Sequence, residues 1–241
     1  MDIKNKKGFT LSETLIAITI IGIIAAVTLP MITYQYKKAV IETKFKKAYS
    51  TLSNAIDMSI SHNGYPSQWG LGDDNDAWAR QYLLPYIKVD NYCEKTQTDI
   101  CKFSAGYNNS TSKRVKNDIG TSYSRFYMND GMQVAFRIDK TGSTDGIIFY
   151  IDIDGNQNGE NKYGKDIFIF NLYTAIYNPG VQNLIKNAPS QMVLIPSGYG
   201  RTKANLTNEG TWEACVKGRR GPWCSALIMM NGWKIPKDYP L

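Results

Sequence analysis

Lys4-Asn5-Lys6-Lys7-Gly8-Phe9-Thr10-Leu11-Ser12-Glu13 runs directly into an uncharged stretch, Thr14 to Ile32. At about 1.5 Å per helical residue that stretch reaches roughly 28 Å, close to the ~30 Å hydrocarbon core of a bilayer. It reads as a membrane-spanning helix. Glu13 stands at its start, four residues after Phe9. An acid gives a simple anchor nothing, since a charge at the centre of a span costs about 2.5–3.5 kcal/mol on insertion scales. The helix dipole offsets part of that cost near the N-terminus. The remainder calls for a partner.

Lys-Gly-Phe-Thr-Leu-Ser-Glu before an apolar helix resembles the prepilin signature of type IV pilins and type II secretion pseudopilins. The resemblance implies that a membrane peptidase cuts after Gly8 and that Phe9 becomes the N-methylated first residue, with Glu13 the fifth. Pro30 falls where many helices of that family carry a proline. A charged amine on Phe9 of a neighbouring subunit would neutralise Glu13, which links cleavage to assembly through one ion pair. Two other readings stand beside this one. The first is a conventional signal peptide with Ala25 and Ala26 near its cleavage site, and the second an uncleaved signal anchor.

The resemblance further implies an α+β, pilin-like fold, with a long N-terminal helix packed on an antiparallel sheet and disulfide-bearing loops. Its divisions are a leader over 1–8, a transmembrane and filament-core helix over 9–32, an amphipathic continuation over 33–62 and a globular domain over 63–241. The implied partners are a prepilin peptidase, other pilin or pseudopilin subunits, an inner-membrane assembly platform, and membrane lipid before assembly. The implied location is the inner membrane, crossed once with the globular domain outside the cytoplasm, and then a periplasmic or extracellular filament.

Within the span, Gly22 and Pro30 stand out. Proline removes one helical hydrogen bond and crowds the carbonyl four residues back, at Ala26. The result is either a simple kink or a stretch from Gly22 to Pro30 that loosens during filament packing. Gly and Ala also let helices approach closely. Beyond the span, Ile41, Phe45, Tyr49, Leu52, Ile56 and Ile60 recur at three-to-four spacing, an apolar stripe that continues the helix and packs on a sheet. Asn63-Gly64-Tyr65-Pro66 supplies the stop. One helix from Phe9 to His62 would be about 80 Å long, a length that suits a filament spine.

Net charge is +7, and +5 once residues 1–8, with one acid and three lysines, are removed. That favours anionic surfaces without requiring nucleic acid. The positive-inside rule does not orient the span, because Lys37, Lys38, Lys44, Lys46 and Lys47 follow it. Cys93, Cys101, Cys215 and Cys224 form two short-range pairs that read as disulfides in an exported chain, their connectivity open. A zinc site competes poorly, with no CxxC and with His62 the sole histidine.

Asp76 to Leu84 reads as a short helix ending before Pro85, and Ala105 to Ser124 as a surface loop. Three strands follow, over Met132–Ile138, Ile147–Ile153 and Ile167–Leu172, with linkers short enough for an antiparallel meander. Between the last two, Asp152, Asp154, Asn156 and Asn158 alternate before Gly159, with Asp166 beyond. An EF-hand is rejected, because its twelfth position falls on Lys165 and no helices flank the loop. A calcium loop of another kind and a polar turn both remain open. The C-terminal segment Cys215 to Cys224 carries Lys217, Arg219, Arg220 and Trp223, a stapled basic loop able to meet phosphates by charge and bases by stacking. A solvated loop without a ligand is the alternative.

A lone histidine argues against histidine-dependent triads, and neither a P-loop nor a dinucleotide fingerprint is present. The chain reads as no enzyme and as needing no certain cofactor. Two functions remain. One is a structural subunit of a type IV pilus or secretion pseudopilus. The other is a minor tip subunit that binds DNA or a surface.

Overall fold

The computed structural model describes residues 8–97, 101, 103, 122–140, 145–155, 161–173 and 194–241. The chain divides into two compact units, Met1–Val40 and Ile41–Leu241, with the long helix α1 (Leu11–Asn63) entering both.

In the first unit every large apolar side chain from Phe9 to Ile32 is exposed, from 53% at Ile20 to 89% at Phe9. No core covers them. By length and composition α1 is the one described helix able to cross a membrane. Thr14, Thr19 and Thr28 donate their hydroxyls to the carbonyls of Thr10, Leu15 and Ile24, so their polar ends are spent on the helix itself. Pro30 lies inside the helix without ending it, and Thr33 Oγ1 donates to the carbonyls of Leu29 and Pro30 at 2.9 Å.

In the second unit the apolar stripe meets a sheet. Ile41, Phe45, Ala48, Leu52, Ala55 and Ile56 are buried, with Tyr49 and Ile60 partly so. Phe45 sits 4.6 Å from the Phe168 ring, 5.5 Å from Phe170 and 5.7 Å from Trp233. The helix ends as the stop signal predicts, with Gly64 at φ +75° donating its N–H to the Ile60 carbonyl.

The sheet has six described strands: β1 (Val89–Cys93), β2 (Ser124–Met128), β3 (Gln133–Asp139), β4 (Gly146–Asp152), β5 (Ile167–Tyr173) and β6 (Leu194–Pro196). Their order is sequential and every pairing antiparallel, so this is a meander. The three predicted strands are β3, β4 and β5. Ser124, assigned to a loop in the sequence reading, opens β2 instead; the rest of that predicted loop lies outside the described residues, save 122 and 123. One sheet face joins the core against α1, through Phe136, Phe149, Phe168 and Phe170. The other carries a smaller buried cluster, with Tyr123, Tyr150, Tyr163 and Ile169.

Helix α2 (Asn75–Tyr82) matches the predicted short helix and is capped by Asp74, which accepts from Asp76 N. Two shorter helices, α3 (Lys203–Leu206) and α4 (Cys224–Met230), complete the described elements together with single 3-10 turns at Pro66–Gln68 and Leu84–Tyr86. Disulfides join Cys93 to Cys101 and Cys215 to Cys224.

Candidate functional site

Gly8, Phe9 and Thr10 are exposed and precede the helix, which starts at Leu11. The peptide bond after Gly8 therefore lies in accessible, non-helical backbone. A Cβ at Gly8 would meet nothing within 4 Å among the described residues. The basic residues Lys4, Lys6 and Lys7 lie outside the described residues.

Thr10 and Glu13 close the helix start reciprocally. Glu13 Oε2 accepts from Thr10 N and from Thr10 Oγ1, both at 2.8 Å, and Glu13 N donates to Thr10 Oγ1 at 3.3 Å. This is a capping box, T-x-x-E, which satisfies donors that a helix N-terminus leaves open. Thr10 is thus a residue that the reading of Glu13 alone overlooks, although its spacing was in plain view. The box leaves the carboxylate's charge in place at the edge of an apolar span. Capping gives Glu13 its geometry.

Farther along the span, Gly22 also faces open space, with nothing within 4 Å of an added Cβ. Pro30 cannot donate to Ala26, so that carbonyl lacks its usual helical donor.

At the β4–β5 connection the Asp152 carboxylate turns back on its own loop. Oδ1 accepts from Asp154 N and Gly155 N, each at 3.1 Å, and Oδ2 from Asn161 Nδ2 at 2.9 Å. Gly155 has φ +70°, and a Cβ there would stand 1.9 Å from the Gly131 carbonyl. Burial, reinforced by the Asp154 carboxyl, pushes Asp152 up to about 7. Asp166 is raised to about 6, chiefly by burial, and accepts from Lys162 N. Asn156 and Asn158 lie outside the described residues. Among the described residues no group of three or more His, Cys, Asp or Glu side chains is placed to hold a metal ion. In the described part of this loop, N–H donors reach the Asp152 oxygens in a polar turn.

The C-terminal basic residues do different things. Lys217 is exposed, whereas Arg219 and Arg220 are half-buried. The Arg220 guanidinium lies 5.2 Å from the Tyr163 ring centre, over the sheet's smaller cluster. Trp223 carries Arg201 over its ring at 4.0 Å, which occupies one face of the indole. The disulfide-closed loop is built inward: Cys215 and Cys224 are buried, and a Cβ at Gly164 would meet Cys224 Sγ at 2.5 Å. Tyr239 O–H donates to the Gly164 carbonyl beneath it.

Two buried acids that composition does not single out organise the domain. Glu42 on α1 accepts from Lys234 Nζ and from Ile235 N, both at 2.8 Å, tying the C-terminal tail to the helix. Asp76 on α2 accepts from Tyr92 O–H, Ser124 O–H and Lys95 N, tying that helix to β1 and β2.

A family model described as a family of unknown function (DUF6613) matches residues 31–241, and the prokaryotic N-terminal methylation motif matches residues 3–29. The fimbrial protein EcpB of Eikenella corrodens is 42% identical over 62 residues, covering 26% of this chain and 38% of that protein. The match thus spans about two fifths of the curated relative's length. No solved structure matches.

Proposed function

Since the chain belongs to the family of unknown function DUF6613 and carries a prokaryotic N-terminal methylation motif, we propose that it is a pilin-type structural subunit of a filament. The motif and the fimbrial relative are consistent with the type IV pilin superfamily. One observation carries the proposal furthest: a segment whose large apolar side chains are all exposed from Phe9 to Ile32, with a capped acid at the helix start. Such a surface requires lipid or copies of itself.

In this reading the unprocessed chain sits in the inner membrane, crossing once. A prepilin peptidase then cuts after Gly8 and Phe9 is N-methylated. The cut leaves a cationic amine four residues from Glu13, and in a filament the amine of one subunit neutralises Glu13 of the next. An assembly platform feeds subunits into the filament, and Ile41–Leu241 is carried outside the cytoplasm. The chain works by polymerising and not by catalysis.

Glu13→Val tests the ion pair. It keeps the span apolar and is expected to leave the membrane-inserted precursor at normal levels while filaments recovered by shearing fall at least about tenfold, as loss of a buried charge pair implies. Normal filament yield would contradict the proposed role of Glu13.

A further inference from the structure

We propose that a cleft beside strands β4, β5 and β6 binds a single pyranose ring of a neutral surface glycan. The cleft encloses about 270 Å³ and is lined by Asp139, Asn171, Tyr173, Tyr199, Arg201 and Trp223. Ile148, Ile195 and Pro196 add apolar surface.

Two glycines build it. Gly146 pairs with Asp139 on one side and Tyr173 on the other, so the row across β3, β4 and β5 has no side chain at its centre. A Cβ there would stand 2.3 Å from the Leu172 carbonyl, which makes the gap a property of the backbone. Gly198, at φ +90°, lies against Trp223, where an added Cβ would come within 2.8 Å of the indole. The next row pairs Ile148 with Asn171 and Asn171 with Ile195, placing an amide between two aliphatic side chains.

The cleft's lining holds one acid, Asp139, and one base, Arg201, so its formal charges cancel and a neutral ligand fits it. Asp139 lies 3.7 Å from Arg137, and the Arg201 guanidinium rests 4.0 Å over the Trp223 ring, which orients both groups. A carboxylate, a primary amide and a guanidinium edge are planar groups that pair with adjacent hydroxyls, while aromatic and aliphatic walls suit the C–H face of a sugar ring. An acyl chain would strip water from these polar groups without replacing it. The cleft stands whether or not the chain polymerises.

The test uses the full-length protein in a non-glycosidic detergent, with the methyl pyranosides of glucose, galactose, mannose and N-acetylglucosamine as probes in saturation-transfer NMR. At least one probe is expected to bind saturably. Asn171→Ala and, on the exposed turn, Arg201→Ala are each expected to weaken it by about tenfold, the loss of one good hydrogen-bonding group. Lys217→Ala should leave it unchanged. Arg201→Ala removes a side chain from an exposed position and keeps the test valid if Asn171→Ala fails to fold. The proposal is overturned if no pyranoside binds, if binding survives in a folded variant at full strength, or if glycylglycine binds in the sugar's place.

Discussion

The same residue type has opposite fates in the two units. Ile20 is 53% exposed in the first, whereas Ile56 is 1% exposed in the second. The second unit completes itself: α1 finds its sheet, its aromatic rings and a tail clamp within one chain. The first unit ends with its apolar surface open, and its hydrophobic burial has to be finished by something else. Helix α1 therefore has one half that packs against the sheet and one half whose apolar surface stays open, the half assigned to assembly in the proposed function.

Truncating each half should separate them. Ile56→Ala is expected to cost the second unit about 2–5 kcal/mol, read by denaturant unfolding. Ile20→Ala should change that unfolding by less than about 0.5 kcal/mol, as for an exposed site, while lowering filament yield. Equal effects would erase the distinction. Next in size, replacing Cys215 and Cys224 by serine should cost about 2–3 kcal/mol, from a short closed loop. Asp76→Ala comes next, at about 2 kcal/mol, because it leaves buried donors from β1 and β2 unanswered. Lys234→Met should change little, about 0.5 kcal/mol, since the Lys234 side chain is 71% exposed.

A subtler probe of the second unit is its pH dependence. Asp152 is raised to about 7 and Asp166 to about 6, both above the ordinary carboxylate value. The folded chain thus holds protons that the unfolded chain releases between about pH 4 and pH 7. These two groups make the fold more stable at low pH and take that stability away as pH rises through 6 and 7. The Tm is expected to be higher at pH 5 than at pH 8, with Asp152→Asn flattening the slope. A Tm that climbs with pH across that window, equally in both proteins, would show that neither acid is buried as described.

The two halves also differed in how much their residues disclosed. The span, the stripe from Ile41 to Ile60 and strands β3 to β5 were legible, because each is a regular apolar pattern bounded by Gly, Pro or charge. Strands β1 and β2 were not. Asp90, Asn91, Ser124 and Arg125 give them the composition of a loop, and Ser124 and Arg125 are nonetheless buried. Strand β6 has three residues, too few for any periodicity to register. At the candidate site Gly8, Phe9 and Glu13 were legible as a motif, whereas Thr10 went unread as the other half of a capping box although its T-x-x-E spacing was there. The Glu42 clamp was not, because its partner Ile235 lies 193 residues away. The cleft was equally hidden, since its walls come from separate strands and a turn.

The most direct measurement is the intact N-terminus of the exported protein by mass spectrometry. The expected result is a mature chain that starts at Phe9 and carries an N-methyl group, with its amine free to meet the capped acid of a neighbour. A terminus that retains residues 1–8, or one that starts beyond Ala26, would contradict the proposed division of α1 into a folding half and an assembling half.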